Sequence, residues 1–250
     1  MKEVTDNHRI SNFDEIVMVK TKPSRHTAIV VGILYIIGTL SGILSHLFTR
    51  NIWENNNTLM TIAADQTPLL VGAFFILLMG FSLAAMPVFL YPYFKQKSES
   101  LALAMVIFRG PIEASTYILF VLSWLFLAAF SQESILMGID AKIIIGLGDF
   151  FVHTNDLIAS VLSLVFITGS ALLYFLFYFT RLIPRWISVW GLLGGALYLA
   201  LALVKFFGVN PHLDFLYVPL AVQEMVMAIW LITKGFDSEA EAALMQKASK

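Results

Sequence analysis

Three ionisable residues lie inside long apolar stretches of the chain, where chemistry would be most conspicuous. Arg109 and Glu113 stand four apart around Pro111, a spacing that puts both side chains on one face of a helix. Glu224, preceded by Gln223, lies in another apolar stretch. Each charged group in such surroundings costs several kcal/mol unless it is paired or hydrated. Attraction to Arg109 is the simplest way to satisfy both glutamates, and it predicts that the segments carrying them are neighbours. Three roles fit such a cluster: a clasp that fixes helix register, a site for a polar ligand, or a proton-coupling group.

A second constellation is Asp149, His153 and Asp156 at positions i, i+4 and i+7 of one helical stripe. Two carboxylates and an imidazole on one face can bind a divalent metal and activate water for hydrolysis. His46 and His212 are expected at the same level and would complete the shell. Helix capping and headgroup hydrogen bonding account for the same residues without a metal. The chain has no cysteine, which removes disulfides, thiolate nucleophiles, iron–sulfur clusters and thiolate zinc sites. It shows no Ser–His–Asp elbow, phosphate loop or dinucleotide fingerprint, and no cofactor is expected.

These residues must be positioned by membrane helices. Of the 250 residues 58% are hydrophobic and 13% charged, and the mean hydropathy is +0.80. A soluble domain of this length keeps far more surface charge. The net charge of −1 offers no basic field for nucleic acid. A span needs about 20 apolar residues, because the hydrocarbon core is roughly 30 Å thick and a helix rises about 1.5 Å per residue. Six stretches qualify, approximately 27–48, 68–94, 101–130, 157–180, 186–207 and 215–233. The predicted fold is all-α, a bundle of six transmembrane helices.

Basic residues accumulate on the cytoplasmic side. Lys20, Lys22 and Arg25 precede the first span, Lys95 and Lys97 fill the second loop, Arg181 and Arg185 the fourth, and Lys234 follows the sixth; Arg50 and Lys142 lie opposite. Both termini are therefore expected in the cytoplasm. Trp186, Trp190, Trp230, Tyr91, Tyr93 and Tyr178 then form an inner aromatic belt, with Trp53 and Trp124 at the outer one. From Leu101, Arg109 is roughly 12 Å and Glu113 roughly 18 Å inside the membrane. Glu224, in a span running the other way, shares the depth of Glu113.

The remaining detail concerns packing. Gly38 and Gly42, and Gly191 and Gly195, are small pairs four apart; they suit close helix packing within the chain or a homodimer. Pro87, Pro111 and Pro219 should kink or open their helices. The outer third loop, 131–155, carries Leu136, Ile139, Ile143, Leu147 and Phe150 at helical spacing. This amphipathic segment is expected to lie on the outer interface or cap the bundle. Ser238 and Glu241 have capping-box spacing ahead of a short solvated helix. The expected division is a polar cytoplasmic segment 1–25, a membrane domain 26–236 and a cytoplasmic tail 237–250.

Four stretches carry a family resemblance: RLIPRWISVWGLLGG (181–195), PLAVQEMVMAIWLITKGF (219–236), FRGPIE (108–113) and the region 32–35. They resemble the bacterial multi-pass membrane family catalogued as domain of unknown function 4386, over roughly 25–236. The turn with Pro184, Arg185, Trp186 and Gly191 is its most specific part. The resemblance implies a membrane bundle in a bacterial plasma membrane and no particular reaction. The preferred expectation is a protein that binds or moves a small amphiphilic or polar ligand, or assists another membrane protein, through Arg109, Glu113, Gln223 and Glu224. The alternative is a metal-assisted, membrane-embedded hydrolase at the outer face.

Overall fold

The computed structural model describes residues 23–55, 57–138, 140–209 and 213–248. Lys20, Lys22, Ile139 and His212 thus lie outside the described residues. The regular elements are all helical: α1 (Pro23–Trp53), α2 (Thr58–Ala64), α3 (Thr67–Phe94), α4 (Glu99–Ile107), a π-helical turn (Phe108–Ile112), α5 (Glu113–Leu136), α6 (Ala141–Thr180), α7 (Arg185–Phe206), a 3-10 turn (Asp214–Tyr217), α8 (Val218–Thr233) and α9 (Ser238–Ala248). Among the described residues, six stretches are long and apolar enough to cross a membrane: α1, α3, the α4–π–α5 unit, α6, α7 and the 3-10 turn with α8.

Helix α1 packs on α3 and α8, α6 packs on α5 and α7, and α7 packs on α8. The sixth span is therefore wedged between the first and fifth. Arg25 closes this arrangement by donating to the carbonyls of Leu231 at 3.3 Å, Ile232 at 2.6 Å and Thr233 at 3.1 Å. These are carbonyls that the end of a helix leaves without intrahelical partners. The first and last spans thus share one end of the bundle, here the terminal end; the opposite end is the far end.

The prolines act differently from one another. Pro87 stays within a continuous α3, whereas Pro111 sits in the π-helical turn. Pro219 falls in the first turn of α8 and opens nothing, because the missing N–H there has no intrahelical partner to lose.

The third loop is helical from Ala141, as its periodicity predicts, but the helix is continuous with the fourth span. Helix α6 begins at Ala141 and runs unbroken for 40 residues, about 60 Å at 1.5 Å per residue and so twice the hydrocarbon thickness. Asp140 caps it, accepting from the Lys142 amide at 2.8 Å. The buried face is also one residue out of register with the expected stripe: Ile144 is 4% exposed while Ile143 is 55% exposed. Phe151, not Phe150, turns inward, 5.1 Å from the ring of Phe130. This segment packs on α2 and α5. A stripe that pairs with protein on one side and carries Ile143 and Phe150 on the other has two apolar faces, which a simple periodicity cannot rank.

The Trp124 ring is engaged within the protein, and the capping-box expectation is corrected. Trp124 is buried against Trp53, with ring centres 5.3 Å apart, and donates to Asn155 at 2.8 Å; it is a packing residue. Helix α9 is capped by Asp237, which accepts from the Ala240 amide at 2.9 Å, and it docks through the buried Leu244. The small-residue faces are filled by the chain's own side chains. A Cβ at Gly38 would meet Leu83, one at Gly42 Met79, and one at Gly195 Ile167.

Candidate functional site

Proline at position 111 has no N–H to give to the preceding turn, and the helix accommodates it as the π-helical turn Phe108–Ile112. Such turns recur at functional sites. Here it presents Arg109, whose Nη1 donates to both carboxylate oxygens of Glu113 at 3.1 Å each. The same nitrogen donates to Ser170 Oγ on α6 at 2.9 Å. Gly169 makes this approach possible: a Cβ there would stand 3.1 Å from the Cα and backbone nitrogen of Arg109.

Glu224 enters from α8. Its Oε1 is 3.7 Å from Arg109 Nη2 and accepts a hydrogen bond from the Tyr174 hydroxyl at 3.2 Å. Tyr174 in turn occupies space left by Gly191, where a Cβ would fall 2.8 Å from its ring. Arg109 is 0% exposed, Glu113 1% and Glu224 8%. The third and sixth spans meet through this arginine side chain, although their backbones pack mainly on other helices. Gln223 does not join them. It donates to the Ile187 carbonyl at 3.1 Å and ties α8 to the start of α7.

The cluster is not fully satisfied by protein. Arg109 Nε and Nη2 and the Tyr35 hydroxyl are buried without a hydrogen-bond partner, as are Ser188 Oγ and Gln223 Oε1. Buried polar atoms of this kind are few in native proteins and mark places that call for a partner.

From Arg109 a column of aromatic rings leads toward the far end. The guanidinium carbon is 4.7 Å from the ring centre of Phe166 and 6.0 Å from that of Tyr35. Phe166 lies 5.2 Å from Tyr198, and Tyr198 lies 4.5 Å from Tyr217. Lys205 Nζ, ion-paired with Asp214, closes the column 5.4 Å from Tyr217. Beside the upper part is a cavity of about 350 Å³ lined by His153, Asp156, Ser163, Tyr198, Lys205 and Tyr217. The Tyr198 hydroxyl donates to Ser163 Oγ at 3.3 Å across its wall. Phe166 thus lies between Tyr198 of the cavity wall and Arg109.

The far-end stripe is divided by the same geometry. His153 and Asp156 line this cavity, but Asp149 lines a separate cleft beside Thr58 and Leu59. His46 is exposed on α1. Among the described residues no group of three His, Asp or Glu side chains is placed to hold a metal ion.

Sequence reasoning found the charged members of the site and missed Ser170, Tyr174 and Phe166. A signal was present, since Phe166, Ser170 and Tyr174 recur every four residues along the fourth span, on one helical face. Polar residues in that stripe mark the side of α6 that faces Arg109 and Glu224.

No curated protein and no solved structure matches the chain. The family described as "Domain of unknown function (DUF4386)" matches residues 30–235, a stretch that holds the whole cluster and the aromatic column. The chain, with its six apolar spans, belongs to the DUF4386 family.

Proposed function

We propose that the protein is a membrane-embedded binding protein that takes a small polar or amphiphilic ligand from the far-end cavity to the Arg109–Glu113–Glu224 cluster. The observation that carries this reading is the position of Phe166, with Tyr198 of the cavity wall on one side and the Arg109 guanidinium on the other. Two donor atoms of Arg109, one of them ion-paired with Glu224, and the Tyr35 hydroxyl are buried without a hydrogen-bond partner. Donors call for an acceptor, so the ligand offers an oxygen such as a carboxylate, phosphate or carbonyl. In the closed arrangement the same residues clasp the third, fourth and sixth spans; displacing Phe166 would join cavity and cluster. No covalent step is required of any residue.

Lys95, Lys97, Arg181, Arg185 and Lys234 gather at the terminal end, which supports placing that end in the cytoplasm of a bacterial cell. The ligand would then enter from outside. The reading is tested by thiol accessibility, for which the absence of native cysteine leaves a clean background. A Ser163→Cys variant should react with a hydrophilic, anionic methanethiosulfonate added from the far-end side. No reaction there would mean that the cavity is closed to water-borne ligands and would sink the proposal.

A further inference from the structure

At the terminal end a second cavity, about 840 Å³, lies among the second loop, the turn between α6 and α7, and the junction of α8 with α9. Its charged wall is Lys97, Arg181, Arg185 and Lys234 against Asp237 and Glu239. The four cations are exposed, and none forms an ion pair among the described residues. Asp237 is already engaged: its side chain caps α9, and its amide donates to the Leu182 carbonyl at 2.9 Å. Lys97 and Arg185 are steadied over aromatic rings, 5.9 Å from Phe179 and 4.8 Å from Tyr178. Four cations against two carboxylates leave the cavity wall with an excess of positive charge, which an anion would offset.

Arg181 adds an independent sign. It ends α6 with φ 59°, the left-handed conformation, which no other described non-glycine residue adopts. Glycine fits that position with less strain. A costly arginine there, its side chain on the cavity wall, is an outlier of the kind that accompanies function.

Next to the cavity along α6 lies an apolar groove. Phe179 lines the cavity, and Phe175, one turn deeper with ring centres 4.4 Å apart, lines the groove, which measures about 580 Å³ between α6 and α7. Leu101, Leu172, Leu192 and Leu199 also line the groove. A polar, cationic pocket at the surface with an apolar groove beneath it matches the two halves of one amphiphile. Basic pockets between spans are established sites for anionic headgroups.

We propose that the terminal end binds one anionic phospholipid, its phosphate held by Lys97, Arg181, Arg185 and Lys234 and an acyl chain lying in the α6–α7 groove. This site is separate from the Arg109 cluster, and neither proposal depends on the other.

The test uses the full chain, purified and delipidated, with lipid binding read by native mass spectrometry and by thermal shift. Phosphatidylglycerol should bind one per chain, with phosphatidylcholine at least roughly tenfold weaker, given the contribution expected of each nearby cation. Arg181→Gly should lower phosphatidylglycerol affinity while leaving the melting temperature of the lipid-free protein equal or higher, because the strained conformation suits glycine. Arg185→Gln offers a second variant free of backbone effects and should weaken binding likewise. Ala196→Trp, which fills the groove, should weaken the lipid and spare inorganic phosphate. Equal affinity for the two lipids, or unchanged phosphatidylglycerol binding in both arginine variants, would overturn the proposal. So would inorganic phosphate that binds as tightly as the lipid, which would mark a free-phosphate site.

Discussion

The guanidinium of Arg109 lies against the ring of Phe166, its carbon 4.7 Å from the ring centre. One face of the arginine is thus covered by an aromatic plane while its edge is bonded to Glu113 and Ser170. Cation–ring attraction is strongest when desolvated, so the contact stabilises the buried charge.

The ion pair should be more costly to break than to replace. Arg109→Leu leaves Glu113 and Glu224 buried without their cation and is expected to destabilise the protein by about 3–5 kcal/mol. Neutralising the pair together, Arg109→Leu with Glu113→Leu, should recover part of that loss. Thermal unfolding in detergent measures both. A double variant as unstable as the sum of its parts would show that the two residues act separately.

The Gly191–Tyr174–Glu224 relay gives a second expectation. Gly191→Ala puts a methyl 2.8 Å from the Tyr174 ring and should cost about 1–3 kcal/mol through overpacking. Tyr174→Phe should cost about 0.5–1.5 kcal/mol for the lost hydrogen bond to Glu224. The combined variant should lose less than the two added together, because a displaced tyrosine has no bond left to lose. Full additivity in the melting curves would contradict the relay.

The register of α6 beyond the expected span is open to a direct check. Ile144→Ala should destabilise by about 2–4 kcal/mol and Ile143→Ala by under about 1 kcal/mol. The reverse order would restore the register expected from the sequence.

What the sequence made legible follows from which forces are local. Six spans could be read because lipid demands uninterrupted apolar helices, and Arg109, Glu113 and Glu224 stood out because charge there is costly. Pro111 marked the π-helical turn. The pairing of Phe166 with Arg109 was not legible: phenylalanine in an apolar span is indistinguishable from lipid-facing neighbours until tertiary packing selects its face. The same applies to Gly169, whose missing Cβ matters only because the Arg109 backbone approaches it. The helical stripe of Asp149, His153 and Asp156 was legible and lies on the exposed face of α6, but its continuity with the fourth span was not, because polar residues there interrupt the apolar run by which spans are read.

Phe166 as a movable partition is tested most directly by the reactivity of a Ser170→Cys variant toward a hydrophilic, anionic methanethiosulfonate, with and without Phe166→Ala, and with Phe166→Val as a milder replacement. Ser163→Cys reports that the reagent reaches the cavity. The account predicts slow labelling at position 170 when Phe166 is intact and labelling faster by roughly tenfold or more, a difference of about 1.4 kcal/mol in barrier, when the ring is removed. A position 170 that stays unreactive in both replacements, while position 163 reacts, would contradict it and leave the cluster as a sealed clasp.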